Sequence, residues 1–349
     1  MKTLLRLLLK SQHQRNRSEP AQTDKGMTLV ELLVGSIMAF LIITPMLGFV
    51  VDMLNTDRRE QVKTNTEQDI QAAVDFIAQD LSQAIYIYDN NTINNSVPDD
   101  GTAGIKDQLP NPPNGTPILV FWKREQIRNA VSVNTVNRVL PKDCEPDDCN
   151  DTYVRSLVAY YQIKDADPIW CQPLTNCPTR IARYEITEGV RNPDSADPVN
   201  TPYYDENEAD PGQQVSKGFN PQFDFSQPRL NVTQGEDFPT PDVLVNYIDH
   251  SQLPPTVPPP TGLQCQTLLG VTPPTGPGAP PFNADDLLIT DGSTHSFYAC
   301  VDTSKNIARV TIRGNSLRRL QPNNTDYKEE SAYFPTASVQ VQGLGARGQ

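Results

Sequence analysis

Histidine is almost missing from this chain: 3 in 349 residues, at His13, His250 and His295. Zinc hydrolases, serine hydrolases and P-loop enzymes carry recognisable local patterns. None of HExxH, GxSxG or GxxxxGK[ST] occurs here. His295 lies beside a candidate strand and reads as a packing residue. The acidic pairs Asp147–Asp148 and Asp285–Asp286 sit in turn-rich stretches and read as solvated loop charges. No catalytic residue, cofactor or metal site is expected, and the chain is not read as an enzyme. Basic residues are also in short supply, 29 against 42 acidic, for a net charge of -13. Phosphate backbones repel such a surface, so nucleic acid is not an expected partner.

Cysteine is sparse but even in number: Cys144, Cys149, Cys171, Cys177, Cys265 and Cys300. Six cysteines allow 15 pairings. Nearest-neighbour pairing is the expectation, because the first two pairs close short loops rich in Pro, Asp and Asn. No CxxC spacing occurs and no histidine lies near, which argues against zinc. Disulfides place this part of the chain in an oxidising compartment.

Long hydrophobic runs are absent except for one. From Leu32 to Val51 there are 20 residues without a charge. As a helix they would span about 30 Å, the thickness of a bilayer's hydrocarbon core. One carboxylate, Glu31, stands at the start of the run. A charge deep in lipid costs about 2.5–3.5 kcal/mol on insertion scales, so it needs a partner or a role. Upstream, residues 1–26 hold six basic residues against two acidic ones. The leucine cluster at Leu4–Leu9 is too short for a secretory core and no small-residue cleavage site follows it. The segment reads as a basic leader that stays in the cytoplasm, with everything after Val51 across the membrane.

The junction Gly26-Met27-Thr28-Leu29-Val30-Glu31, with its basic leader and apolar run, resembles the processing site of type IV pilins and of the pseudopilins of type II secretion. That resemblance implies cleavage between Gly26 and Met27 by a prepilin peptidase, N-methylation of Met27, and pairing of Glu31 with the N-terminal amine of a neighbouring subunit. Phenylalanine is commoner than methionine at the first mature position. The long leader and the Pro/Asn-rich remainder are most similar to the pseudopilins of hormogonium polysaccharide secretion in filamentous cyanobacteria, which support gliding. The implied partners are other pilins or pseudopilins in a hetero-oligomeric filament, the peptidase, the inner membrane and a polysaccharide. The implied location is the bacterial inner membrane, single-pass with a periplasmic head, then a surface filament after assembly. The alternative is an anchored adhesin or receptor that never polymerises, whose Trp122, Tyr160, Tyr161 and Trp170 would stack on sugars.

Beyond the anchor, Ile70, Val74, Ile77, Leu81 and Ile85 recur every three or four residues, with Ala73, Ala84 and Tyr88 on the same stripe. This predicts an amphipathic helix over 52–88, continuous with 27–51. Pro45 should kink or loosen it. Asp89–Gly115 reads as a loop whose carboxylates lack EF-hand spacing. Short β-rich runs follow at Ile118–Trp122, Leu157–Lys164, Arg180–Thr187, Val243–Asp249, Ser296–Asp302, Ile307–Arg313 and Ser338–Gln342. They predict one antiparallel sheet. Arg191–Pro241 and the Pro-rich loop 251–281, with ten prolines in Ser251–Pro281, read as surface segments that contribute nothing to a core. The expected fold class is α+β, pilin-like: a long N-terminal helix packed on an antiparallel sheet in a β-rich head over 89–349.

Overall fold

The computed structural model describes residues 27–94, 104–171, 177–276, 278, 281–321, 325–328 and 331–347. The leader 1–26, and with it Gly26, lies outside the described residues, as does most of the 89–115 loop's Asn/Asp-rich centre. The chain divides into two units, Met1–Arg58 and Arg59–Gln349.

The class is α+β. The first element is a 54-residue helix, α1 (Leu29–Ser82), about 81 Å long at 1.5 Å per residue. It runs through Pro45 without a break. The Thr28-x-x-Glu31 pattern starts it. The Thr28 hydroxyl accepts from the Glu31 amide at 3.3 Å, and Glu31 Oε2 accepts from the Thr28 amide at 3.3 Å and hydroxyl at 3.2 Å. This is a reciprocal capping box, satisfying two amides that a helix start leaves bare.

In the second unit the α1 stripe does what its spacing predicts. Ile70, Ala73, Val74, Ile77 and Leu81 are all buried. The helix ends earlier than its periodicity suggests, at Ser82, and 84–87 forms strand β1 (Ala84–Ile87). The run Ala84-Ile85-Tyr86-Ile87 satisfies a helical stripe and a strand propensity at once. Pairing decides between them: the Gln83 carbonyl accepts from the Arg124 amide, and β1 lies antiparallel to the next strand. A short helix, α2 (Asn90–Asn94), follows.

The β elements form two antiparallel sheets rather than one. The first runs in the order β1, β2 (Gly115–Ser132), β3 (Cys149–Ile163), β4 (Thr179–Thr187), β5 (Asp242–Ile248). The second holds β6 (Leu288–Thr290), β7 (Phe297–Asp302), β8 (Ile307–Arg313) and β9 (Thr336–Gln342). Between the sheets in sequence lies α3 (Gly262–Leu269), and a one-turn helix α4 (Leu317–Leu320) follows β8. Every pairing joins strands adjacent in sequence. The single-sheet expectation fails because the strand runs carry no record of which partner they choose. The sheets meet at an isolated bridge between Ile248 and Gly314, reinforced by the Asp249 amide on the Arg313 carbonyl at 3.0 Å and the Asn315 amide on the Tyr247 carbonyl at 2.8 Å.

One core serves both sheets and the helix. Trp122, Phe121, Tyr160 and Ile181 from the first sheet and Phe297, Val310 and Ile312 from the second join the α1 stripe. Gly314 lets α1 approach: a Cβ there would lie 2.9 Å from Ile70 Cγ1 and 3.0 Å from Thr66 Cγ2. Two segments read as surface loops behave otherwise. The 191–241 stretch supplies buried Phe219, Phe223 and Val232, with Phe223 stacked on Trp122 at 4.4 Å between centroids. The Pro-rich 251–281 loop contains α3, started by a Thr261–Gln264 capping box and ended by left-handed Gly270. In both, a few apolar residues among prolines and amides are enough to reach the core once a sheet is there to receive them.

Candidate functional site

The cysteines pair as nearest neighbours: Cys144–Cys149, Cys171–Cys177 and Cys265–Cys300. The first sits in the β2–β3 connection. The second lies between β3 and β4. The third ties α3 to β7, where both sulfurs are buried beside Leu269 and Leu287.

The N-terminal part of α1 presents its apolar side chains on every face. Leu29 is 82% exposed, Phe40 70% and Phe49 72%, and each residue from Met27 to Gln61 is exposed. A fully apolar helix surface of this kind is unstable in water. The helix is long and apolar enough to cross a membrane. Glu31 is the only charged residue from Met27 to Val51. Among the described residues its carboxylate hydrogen bonds reach only Thr28, and that capping role is one the sequence reading missed. The T-x-x-E signal was present in the sequence, hidden by attention to the run that follows it.

Where the same helix enters the head, a second polar arrangement appears. Asp80 projects from the buried stripe into the first sheet. Its Oδ2 accepts from Arg183 Nε at 2.7 Å and from the Tyr160 hydroxyl at 2.6 Å, and its Oδ1 accepts from Lys123 Nζ at 3.2 Å. Glu185 completes the cluster, 2.8 Å from Arg183 Nη1 and 2.7 Å from Lys123 Nζ. Two anions face two cations. Burial opposes the charge on Asp80. The hydrogen bond and charge of Arg183, with Lys123, outweigh it and hold the carboxyl below its ordinary value. Glu185 is held low by Arg183 and Lys123 against the same burial. Burial, and then the Asp80 charge, push the Tyr160 phenol up. Asp80 and Glu185 are therefore ionised at neutral pH, and a groove of about 630 Å³ opens beside the cluster, lined by Phe76, Arg124 and Tyr153 among others. The Asp80 and Glu185 carboxyls are held low and the Tyr160 phenol high, away from the neutral range that acid–base chemistry would need, and the cluster reads as a rivet between helix and sheet.

The remaining sequence candidates scatter. Trp122, Tyr160 and Tyr161 are fully buried and Trp170 is half-buried, so the first three have no face to offer a sugar. The Trp122 indole donates to the Tyr88 hydroxyl at 2.9 Å instead. His295 Nδ1 contacts the Thr290 hydroxyl at 2.9 Å in the β6–β7 turn. Asp89 caps α2 by accepting from the Thr92 amide and hydroxyl. No group of three or more His, Cys, Asp or Glu positioned to hold a metal occurs among the described residues. No family model, curated protein or solved structure matches the chain.

Proposed function

We propose that this chain is a pilin-like subunit of a type IV pilus-like or type II secretion-like filament. It inserts in the bacterial inner membrane with its N-terminus in the cytoplasm. It is cut between Gly26 and Met27, methylated on Met27, and packed through residues 27–51 against other subunits. The observation that carries this reading is α1 itself. One helix bears an exposed apolar surface with a single carboxylate at its third position, and further along buries a stripe in a disulfide-closed head. In a simple anchor Glu31 would serve only to cap the helix start, a role that an uncharged glutamine also fills, while its charge costs free energy in lipid. In a bundle of subunits, the N-terminal ammonium of a neighbour offsets that cost. The finer reading, support of polysaccharide secretion and surface gliding, rests on the long leader and the Pro/Asn-rich head.

Intact mass and N-terminal sequencing of the protein from its native membrane test the proposal. A chain beginning at N-methylated Met27 supports it. A chain retaining residues 1–26 refutes it and leaves the non-polymerising adhesin or receptor. For the finer reading, disruption of the gene should abolish polysaccharide export and gliding together; loss of neither refutes it.

A further inference from the structure

The two sheets end in the edge strands β1, β5, β6 and β9. An edge offers unpaired amides and carbonyls to any passing strand, and proteins blunt it with short strands, bulges, charges or a cover. Three of these edges are blunted. β1 has 4 residues, and its Ala84 carbonyl accepts from the Asn306 side chain at 2.8 Å. β6 has 3 residues. β5 opens on Asp242, and its register with β4 shifts between Thr179 and Ile181 and again between Ile181 and Ala182. β9 carries none of these devices. It runs for 7 residues, Thr-Ala-Ser-Val-Gln-Val-Gln, in unbroken register with β8, and no charged residue occurs from Ser331 to Ala346.

The phase of the ladder shows what this edge presents. The Gly343 amide donates to the Asn306 carbonyl at 2.9 Å, and the Gly314 amide to the Pro335 carbonyl at 2.8 Å. Both pairs continue the β8–β9 register, so the odd-numbered residues Ala337, Val339 and Val341 are the ones that bond β8. The amides and carbonyls of Thr336, Ser338, Gln340 and Gln342 point outward, and among the described residues they meet no backbone partner. On the inner face, Ala337, Val339 and Val341 pack against the core yet are only half-buried, while Val310 on β8 is fully buried. The apolar face runs up to the edge and stops there uncovered.

A second copy of the same strand fits this edge. Antiparallel pairing about Val339 sets Thr336 opposite Gln342, Ala337 opposite Val341 and Ser338 opposite Gln340, so polar meets polar and apolar meets apolar. It is also in phase. The outward-facing residues of one copy meet those of the other, for about eight backbone hydrogen bonds, and Val339 meets itself on the two-fold axis. In-phase registers displaced to either side leave an end of each strand unpaired. Along the strand no charge repels the second copy. The head part of α1 sets the orientation. Thr66 and Ile70 lie beside Gly314, at the start of β9, and the Ala84 and Ile85 carbonyls lie beside Gly343 and Gly345, at its end. The buried stripe of α1 therefore runs in the same direction as β9, and pairing turns these segments of the two copies opposite ways.

We propose that the β9 edge is a self-recognition surface, joining two copies of this chain by an isologous, antiparallel strand pair centred on Val339. The polypeptide enters the two heads from opposite sides, so the paired copies belong to different membranes or filaments rather than standing side by side in one. The surface belongs to the head and does not depend on cleavage after Gly26, so either reading can fail without the other.

The test uses the full chain in lipid nanodiscs loaded at one copy per disc, with sedimentation velocity reporting whether discs pair. Gln340→Pro removes an amide that faces away from β8 and fills the edge with a ring; Gln340→Lys leaves the backbone intact and adds a charge. The expected result is discs that pair at about 10–100 μM, in keeping with a small interface. Both variants should weaken pairing about 10-fold or more and keep a melting temperature close to that of the parent. The native cysteines are already paired. Under mild oxidation Val339→Cys should therefore lock discs in covalent pairs and Gln340→Cys should not, because only position 339 faces its own copy, at a Cα separation of about 4.5 Å that a disulfide spans. Single discs at about 100 μM overturn the proposal, as do pairs unaffected by both Gln340 variants, or equal cross-linking from positions 339 and 340. Single discs that nonetheless bind a synthetic Thr336–Gln342 peptide also overturn it, and assign the edge to a strand from another protein.

Discussion

Asp80→Ala is the sharpest test of how the head holds its helix. The wild-type cluster is neutral, with Asp80 and Glu185 against Lys123 and Arg183, and all but Glu185 are less than a tenth exposed at the side chain. Removing Asp80 deletes hydrogen bonds to Arg183, Tyr160 and Lys123. It also leaves two buried cations with one anion. Breaking a buried pair from one side costs about 3–5 kcal/mol, most of it the uncompensated charge. At about 2–4 °C per kcal/mol for a large domain, the melting temperature should fall by roughly 6–20 °C. The assay is thermal and urea unfolding of the full chain in detergent, followed by fluorescence of buried Trp122. Asp69→Ala is the control. Asp69 pairs with Arg319 on the surface, and such pairs are worth about 0–1 kcal/mol. A loss of under 1 kcal/mol for Asp80→Ala, equal to the control, would refute the rivet. Asp80→Ala with Arg183→Met should recover part of the loss, because the orphaned cation goes too.

The pH dependence has a fixed sign. Asp80, Glu185 and Glu188 have folded pKa values below their ordinary 3.8 to 4.5, so their stabilisation is complete above that range and is lost as pH falls from it through the lower folded values. His250 and His295 are pushed below 6.5 by burial, so a smaller loss should begin already below pH 6.5; a urea midpoint flat from pH 7 to 3 contradicts both. Gly314→Ala forces a methyl against Ile70 and Thr66 and should cost about 1–3 kcal/mol by urea denaturation. Removing Cys265–Cys300, which closes a 35-residue separation, should cost about 4 kcal/mol against about 2 for Cys144–Cys149 at a separation of 5; equal unfolding midpoints would show that loop closure is not what the third disulfide contributes. Glu31→Ala should insert normally and fail to enter filaments, while Thr28→Ala, which breaks the same capping box at about 1 kcal/mol, should still assemble. Equal filament yields from the two would reduce Glu31 to a helix cap.

Much of the architecture was legible because it is local. Period 3–4 in Ile70, Val74, Ile77 and Leu81 encodes a helix face whatever it meets. The 20 uncharged residues from Leu32 to Val51 set a bilayer-length run before any fold is known. The β-rich runs located seven of the nine strands among the described residues, and the short separations of the first two cysteine pairs favoured their observed pairings. The groups that join elements were not legible. In sequence Asp80 is one more polar residue among those that separate the apolar positions of the stripe. Its partners Lys123 and Arg183 lie 43 and 103 residues away, and nothing local marks them as a set.

The sequence by itself determined that this chain has an apolar helix with one carboxylate, a helical stripe beyond it and an acidic, disulfide-bearing β-rich remainder. Those are properties of neighbours in sequence, fixed by backbone periodicity, charge and short-loop closure. Tertiary structure alone decided that α1 stops at Ser82, that strands divide between two sheets, that phenylalanines from a proline-rich stretch fill the core against Trp122, and that β9 lies at a sheet edge. Each of these depends on competition between distant partners for the same backbone or the same buried space, and that competition is resolved only when the chain is folded.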